Sequence, residues 1–144
     1  MEGSIPPVVR TAERLMLELT KAIQNFARFH RHGFGSDLSK QVVGVARLCH
    51  RAWRDTAGRK AWLKQVRFAV DDLKLSMQLG CQLRVFRSNR QFEYLFRIAD
   101  ELGRQIGGWF KHQHLKGQSA PPDEAEAQRA MTLSTRAASQ GEAS

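Results

Sequence analysis

Apolar residues recur along this chain in four blocks, each spaced alternately by three and four positions. The first runs from about Val8 to Arg31 behind the breaker Pro6-Pro7, with Ala12, Leu15, Leu19, Ala22, Phe26 and Phe29 on one stripe. "HGFGSD" ends it and offers Ser36 or Asp37 as the N-cap of the second. That block spans about Asp37 to Thr56, with Leu38, Val42, Val45, Cys49 and Ala52/Trp53 aligned, and Gly58 stops it. The third, about Arg59 to Val85, aligns Leu63, Val66, Val70, Leu73, Met77 and Gly80. The fourth opens on Ser88-Asn89-Arg90-Gln91, a capping-box signature in which the Ser hydroxyl accepts the N3 amide and the Gln reaches back. It continues through Phe92, Leu95, Ala99, Leu102, Ile106 and Trp109 to a stop at Gly117, so its span is 88–116. No block alternates apolar and polar residues as a half-buried strand does. The pattern predicts an all-α protein, an antiparallel up-down four-helix bundle over residues 8–116. Residues 1–7 and 117–144 lie outside it, the latter rich in Ala, Ser, Gln and Glu and expected to be disordered, with at best a transient helix around Asp123–Met131.

The fourth block breaks a rule. "ELGRQIGGWFK" places Gly103, Gly107 and Gly108 inside a predicted helix, where each costs about 1 kcal/mol relative to alanine. Without Cβ atoms at 103 and 107 a groove of backbone opens, and a neighbouring helix or a bulky side chain such as Trp53 or Trp62 can approach it.

Charge sharpens the picture. The 144 residues hold 23 Lys and Arg against 14 Asp and Glu, a net +9. Residues 117–144 hold two arginines and four acids, so residues 1–116 carry +11. A body this basic favours a polyanionic partner, nucleic acid before membrane. Its cations fall seven residues apart on every predicted helix: Arg14, Lys21, Arg28; Lys40, Arg47, Arg54; Lys60, Arg67, Lys74; and Arg90, Arg97, Arg104, Lys111. A seven-residue step drifts only about 20° around a helix, so each set forms one longitudinal stripe. Arg51 thickens the second. Outward charges at heptad spacing also follow simply from core spacing, but acids are too few to pair most of these cations along the helix. Arginine outnumbers lysine, which suits bidentate phosphate contacts.

Catalytic and metal chemistry find little footing. Asp71-Asp72 lies in a helix-period block, where pairing with Lys64 or Lys74 accounts for it, and Asp100-Glu101 is a similar pair beside Arg97 and Arg104. His30/His32 and His112/His114 are two apart and point to opposite sides of a helix. Cys49, His50 and Cys81 offer three zinc ligands without a fourth. No phosphate loop or activated nucleophile is present, so the expectation is no enzyme, no cofactor and no metal. Two cysteines make no secreted disulfide framework, "MEGSIPPVVR" predicts no signal peptide, and no apolar run reaches membrane-spanning length. A membrane-surface role is set aside on the reading that every apolar stripe is needed to close the bundle.

The run "QFEYLFRIADELGRQIGGWFKHQ", with "GFGSDLSKQVVGVARLCHRAW" and "WLKQVRFAVDDLKLSMQLGCQLRVF" before it, resembles a particular family. It is the four-helix-bundle family that includes the accessory variability determinant (Avd) of diversity-generating retroelements and the proteins encoded in large-subunit rRNA intervening sequences. The resemblance covers roughly Phe34 to Gln113, and "ELGR…GGW" is its specific part. It implies a subunit of a barrel-like homo-oligomer, a pentamer, that binds a retroelement reverse transcriptase and its template RNA, with the cDNA as a further candidate partner. It further implies a ribonucleoprotein that supports mutagenic cDNA synthesis without chemistry of its own, in the cytoplasm of a bacterium or of a phage's bacterial host. The family's positive surface carries over as a class of residue. Within it the favoured nucleic-acid contacts are Arg47, Arg51 and Arg54 on the second helix and Arg87, Arg90, Arg97, Arg104 and Lys111 on the last. Gly103, Gly107, Gly108 and Trp109 read as packing residues, within or between subunits. The intervening-sequence relatives keep a second expectation open: an oligomeric scaffolding bundle without a nucleic-acid role.

Overall fold

Why these blocks become separate helices is plain from their ends in the computed structural model, which describes residues 4–119. The helices are α1 (Pro7–Gln24), the single turn α2 (Arg28–Arg31), α3 (Phe34–Arg54), α4 (Arg59–Gln82) and α5 (Asn89–Ser119), with no strand among the described residues. α5 runs on through Gly117, where a stop was expected, to Ser119, since a lone glycine lowers helix propensity without ending the helix. The expectations for the tail beyond Ser119 and for the first three residues lie outside the described part. The chain divides into a body, Met1–Lys111, and a second unit from His112, whose described part is the end of α5. The body is a helical bundle.

Pro7 starts α1 at a position where its missing N–H is no loss. Contrary to the single helix expected from 8 to 31, α1 stops at Gln24. The amides of Asn25 and Phe26 turn back to the carbonyls of Ala22 and Ile23 at 3.0 Å. This swings Phe26 into the core, edge-on to Phe86 with ring centroids 5.5 Å apart. Phe29, expected on the core stripe, is 87% exposed as a result. α3 begins at Phe34 rather than Asp37, so Ser36 and Asp37 lie inside its first turn instead of capping it, and Asp37 favours the helix dipole there.

The α3–α4 turn is held by Asp55, whose carboxylate accepts from the Gly58 amide at 3.0 Å and from Trp62 Nε1 at 2.9 Å. Arg59 closes the end of α3, donating to the carbonyls of Ala52 and Trp53 at 2.8 and 2.9 Å. α4 ends at Gln82, three residues short of the expected Val85, because Arg84 takes a left-handed φ of 58° and the Val85 amide returns to Gly80 O at 3.1 Å. The capping box that opens α5 forms with one change. The Gln91 amide donates to Ser88 Oγ at 3.1 Å, and Gln91 Oε1 accepts from the amide of Arg87, one residue before the cap, at 2.8 Å.

Packed pairs set the order of the bundle. Glu13 meets His50 between α1 and α3, Arg59 bonds the end of α3, Lys74 meets Asp100 between α4 and α5, and Ala22 and Leu95 line one groove between α1 and α5. α1 and α4 are therefore diagonal, as are α3 and α5. The core is built from the predicted stripes, with Leu15, Leu19, Leu38, Leu63, Leu73, Leu102 and Ile106 at 1% exposure or less. At one end Phe26, Phe86, Phe92 and Phe96 form a chain of ring contacts. Gly80 makes room for this end: a Cβ there would lie 2.9 Å from a ring carbon of Phe34 and 3.1 Å from one of Phe86. Gly80→Ala is accordingly expected to destabilise the bundle by about 1–3 kcal/mol, as overpacking does, measured by urea unfolding.

Candidate nucleic-acid interface

The core stripes decide where the cations go. On α3, Lys40, Arg47, Arg51 and Arg54 lie opposite Leu38, Val42, Val45 and Cys49, and all four are exposed. On α5, Arg90, Arg97, Arg104 and Lys111 lie opposite Leu95, Leu102 and Ile106 and are exposed too. These two form genuine outer ridges. The other two expected stripes change. Arg28 belongs to α2, so the α1 set is reduced to Arg14 and Lys21 on a common helix. On α4 the cations turn toward α5: Arg67 stacks over Phe110 with 4.7 Å to the ring centre, and Lys74 is half-buried against Asp100.

Among the described residues, Arg47, Arg90, Arg97 and Lys111 have no carboxylate within ion-pair distance. Arg104 differs, because its guanidinium donates to Asp100 Oδ2 at 2.8 Å. Arg51 and Arg54 lie over the rings of Trp62 and Trp53, at 5.2 and 4.4 Å. A stacked guanidinium keeps its edge donors free, so both still suit a phosphate. Arg87 and Arg90 line a groove of about 470 Å³ with Lys21, Gln91 and Tyr94, bringing cations of α1 and α5 together where the sequence had separated them. The predicted set as a whole does not form one surface. α3 and α5 are diagonal, so Arg47, Arg51 and Arg54 face away from Arg90, Arg97 and Arg104.

The glycines of α5 are not approached by either tryptophan. A Cβ on Gly103 would meet Val70 at an ordinary 3.7 Å, and one on Gly107 or Gly108 would meet nothing within 4 Å. Trp53 tilts against His50 and Trp62 is bonded to Asp55. Gly108 is exposed, leaving bare backbone between Arg104 and Lys111. Trp109 does pack within the subunit, half-buried against the core beneath the Arg59 guanidinium at 5.1 Å. Arg59, unmarked by the stripes, thus ties the end of α3 to α4 and to α5.

Of the zinc candidates, Cys49 is buried in the core and burial pushes its thiol up to about 12, while His50 Nε2 lies 2.8 Å from Glu13. No group of three His, Cys, Asp or Glu is placed to hold a metal among the described residues. Asp71 and Asp72 stand exposed without the expected lysine, since Lys74 pairs with Asp100 instead. The expectation that every apolar stripe closes the bundle also fails on α4, where Phe68, Leu75 and Leu79 point outward. Their spacing of seven and four, opposite the core stripe, was the missed signal. No helix among the described residues is long and apolar enough to cross a membrane.

Compared with known proteins, the chain matches no family model and no curated relative.

Two outcomes follow from this geometry. Gly107→Ala and Gly108→Ala are each expected to raise the unfolding free energy of the subunit by up to about 1 kcal/mol, read by urea titration under the same conditions as Gly80→Ala. The Lys74 ammonium bonded to Asp100, with Arg104 beside it, holds the Asp100 carboxyl below its ordinary 3.8. A depressed carboxylate stabilises the fold above that ordinary value and ceases to do so as pH falls through the lower one. Thermal melts of the parent and Asp100→Asn should therefore differ most near neutrality and converge as the pH drops below 3.8.

Proposed function

We propose that this chain is a nonenzymatic accessory protein of a diversity-generating retroelement, which binds the template RNA, the cDNA copied from it, and the reverse transcriptase. It works as a cytoplasmic homo-oligomer, five subunits in a barrel on the strength of the resemblance. The observation that carries the RNA-binding part is the pair of outward ridges on α3 and α5, whose arginines are largely without carboxylate partners. Unpaired surface cations release counterions when they meet phosphates, which drives binding without reading bases. Helix arginines on a structured RNA contact backbone and shape rather than base edges. Bare backbone at Gly107 and Gly108 lets a phosphate strand lie close to α5 between its cations. Because the ridges face opposite ways, one RNA wraps the bundle or bridges subunits, and an assembly places several ridges on a common rim. The polymerase then meets a template already held against a charged surface.

The second reading, a scaffolding bundle without a nucleic-acid role, draws its support from the apolar outer side of α4. Salt dependence separates the two. With a structured RNA, the logarithm of affinity should fall linearly with the logarithm of salt, by about 0.7–0.9 per phosphate contacted. Arg90→Gln with Arg97→Gln should flatten that slope by roughly 1.4–1.8. Arg104→Gln alone should change it less, since Asp100 already neutralises that side chain. Weak binding whose slope none of these substitutions alters would support the scaffold.

A further inference from the structure

α4 has two apolar faces. Leu63, Val66, Val70, Leu73 and Met77 fill the core, and Phe68, Leu75 and Leu79 stand on the opposite side at 65, 56 and 45% exposure. Ala61, also exposed, extends the same outer line by one heptad toward the N-terminus of α4. On α3 and α5 the equivalent ridge is largely cationic, and α4 carries three large apolar side chains along its crest where α1 and α5 each leave a single leucine exposed, Leu17 and Leu115. A ridge of this kind marks a contact surface.

The charges beside it select the occupant. Lys64 and Asp72 lie one turn before and one turn after Phe68, both exposed, and neither has an ion-pair partner among the described residues. We propose that a second copy of this chain docks on this ridge, the two α4 helices antiparallel about a twofold axis through Phe68. Each Lys64 then lies level with the partner's Asp72, diagonally across the crest, with the partner's Asp71 beside it on the same flank. Phe68 packs on the partner's Phe68, Leu75 on the partner's Ala61, and Leu79 reaches the partner's Ala57 in the α3–α4 turn.

Two neighbouring registers fail on charge. An axis midway between Phe68 and Leu75 sets Asp71 and Asp72 against the partner's Asp72 and Asp71. An axis through Leu75 leaves Lys64 and Asp72 unpaired and drives Asp71 onto the partner's Leu79. On a +9 chain most face-to-face pairings of copies repel. Here a centred aromatic pair and two equivalent ion pairs make the contact self-complementary, as a twofold interface must be. The inference does not depend on RNA binding, and it is distinct from a ring, in which each subunit meets its neighbours through two unlike faces.

Oxidation and charge exchange test it on the full chain. Phe68→Cys in a Cys81→Ser background, under mild oxidant, should close a disulfide-linked dimer of twice 16.4 kDa, while Arg97→Cys on α5 should not. Because losing Phe68 weakens the contact it reports on, a second arm leaves the ridge intact. Asp72→Lys should weaken self-association about tenfold in sedimentation equilibrium, through two lost ion pairs and new lysine repulsion. Adding Lys64→Asp should restore it. An Asp72→Lys protein that associates as before, or a double variant that stays as weak as the single one, would overturn the proposal. So would a Phe68→Cys protein that remains reduced and monomeric while the charge variants are unaffected.

Discussion

Four long helices packed around one core present four outer crests, and the chain they belong to is rich in cations, 23 against 14 acids. The core fixes which positions point out, because a buried guanidinium or ammonium without a partner is too costly to keep. Everything distinctive about the surface follows from how the chain meets that demand. α3 and α5 accept cations on the crest, and α4 turns Arg67 and Lys74 into the seam with α5. There Arg67 and Lys74 find Phe110 and Asp100. The crest of α4 is thereby freed for Phe68, Leu75 and Leu79.

Much of this was legible because helical spacing reports burial directly. The stripes of α3, α4 and α5 became the core, with Trp53, Phe92 and Trp109 half-buried at its edge, and the Ser88–Gln91 cap formed where local chemistry placed it. The end of α1 was not legible. Its cause is a contact between Phe26 and Phe86, far apart in sequence, and nothing near Gln24 announces it. The cation stripes were only half legible for a similar reason. Heptad spacing says that residues share a line, but whether the line is crest or flank depends on where the neighbouring helix lies. Arg90 and Arg97 are on a crest, and Lys74 is on a flank.

The glycines teach the same lesson from the other direction. Gly103, Gly107 and Gly108 drew attention because they cluster, yet the close approaches belong to Gly58, Gly80 and Gly35. A Cβ at Gly35 would sit 3.0 Å from Ile23 and 3.2 Å from a backbone oxygen of His30. Crowding at a glycine is set by what faces it, which a single strand of sequence does not display. The bare stretch on α5 thus has no packing explanation inside the subunit, and its placement between Arg104 and Lys111 fits the proposed role of that crest in holding phosphates.

Under the proposed function and inference, the surface divides into cationic crests for nucleic acid and an apolar crest for protein. Ultraviolet cross-linking of the full chain to a structured RNA, followed by mapping of the modified peptides, tests that division most directly. The account predicts adducts on the peptides of α3 around Arg47–Arg54 and of α5 around Arg90–Arg104, with the Phe68–Leu79 crest unmodified although Phe68 is an exposed aromatic ring. Adducts concentrated on Phe68 and its neighbours, with the α3 and α5 peptides clean, would contradict it.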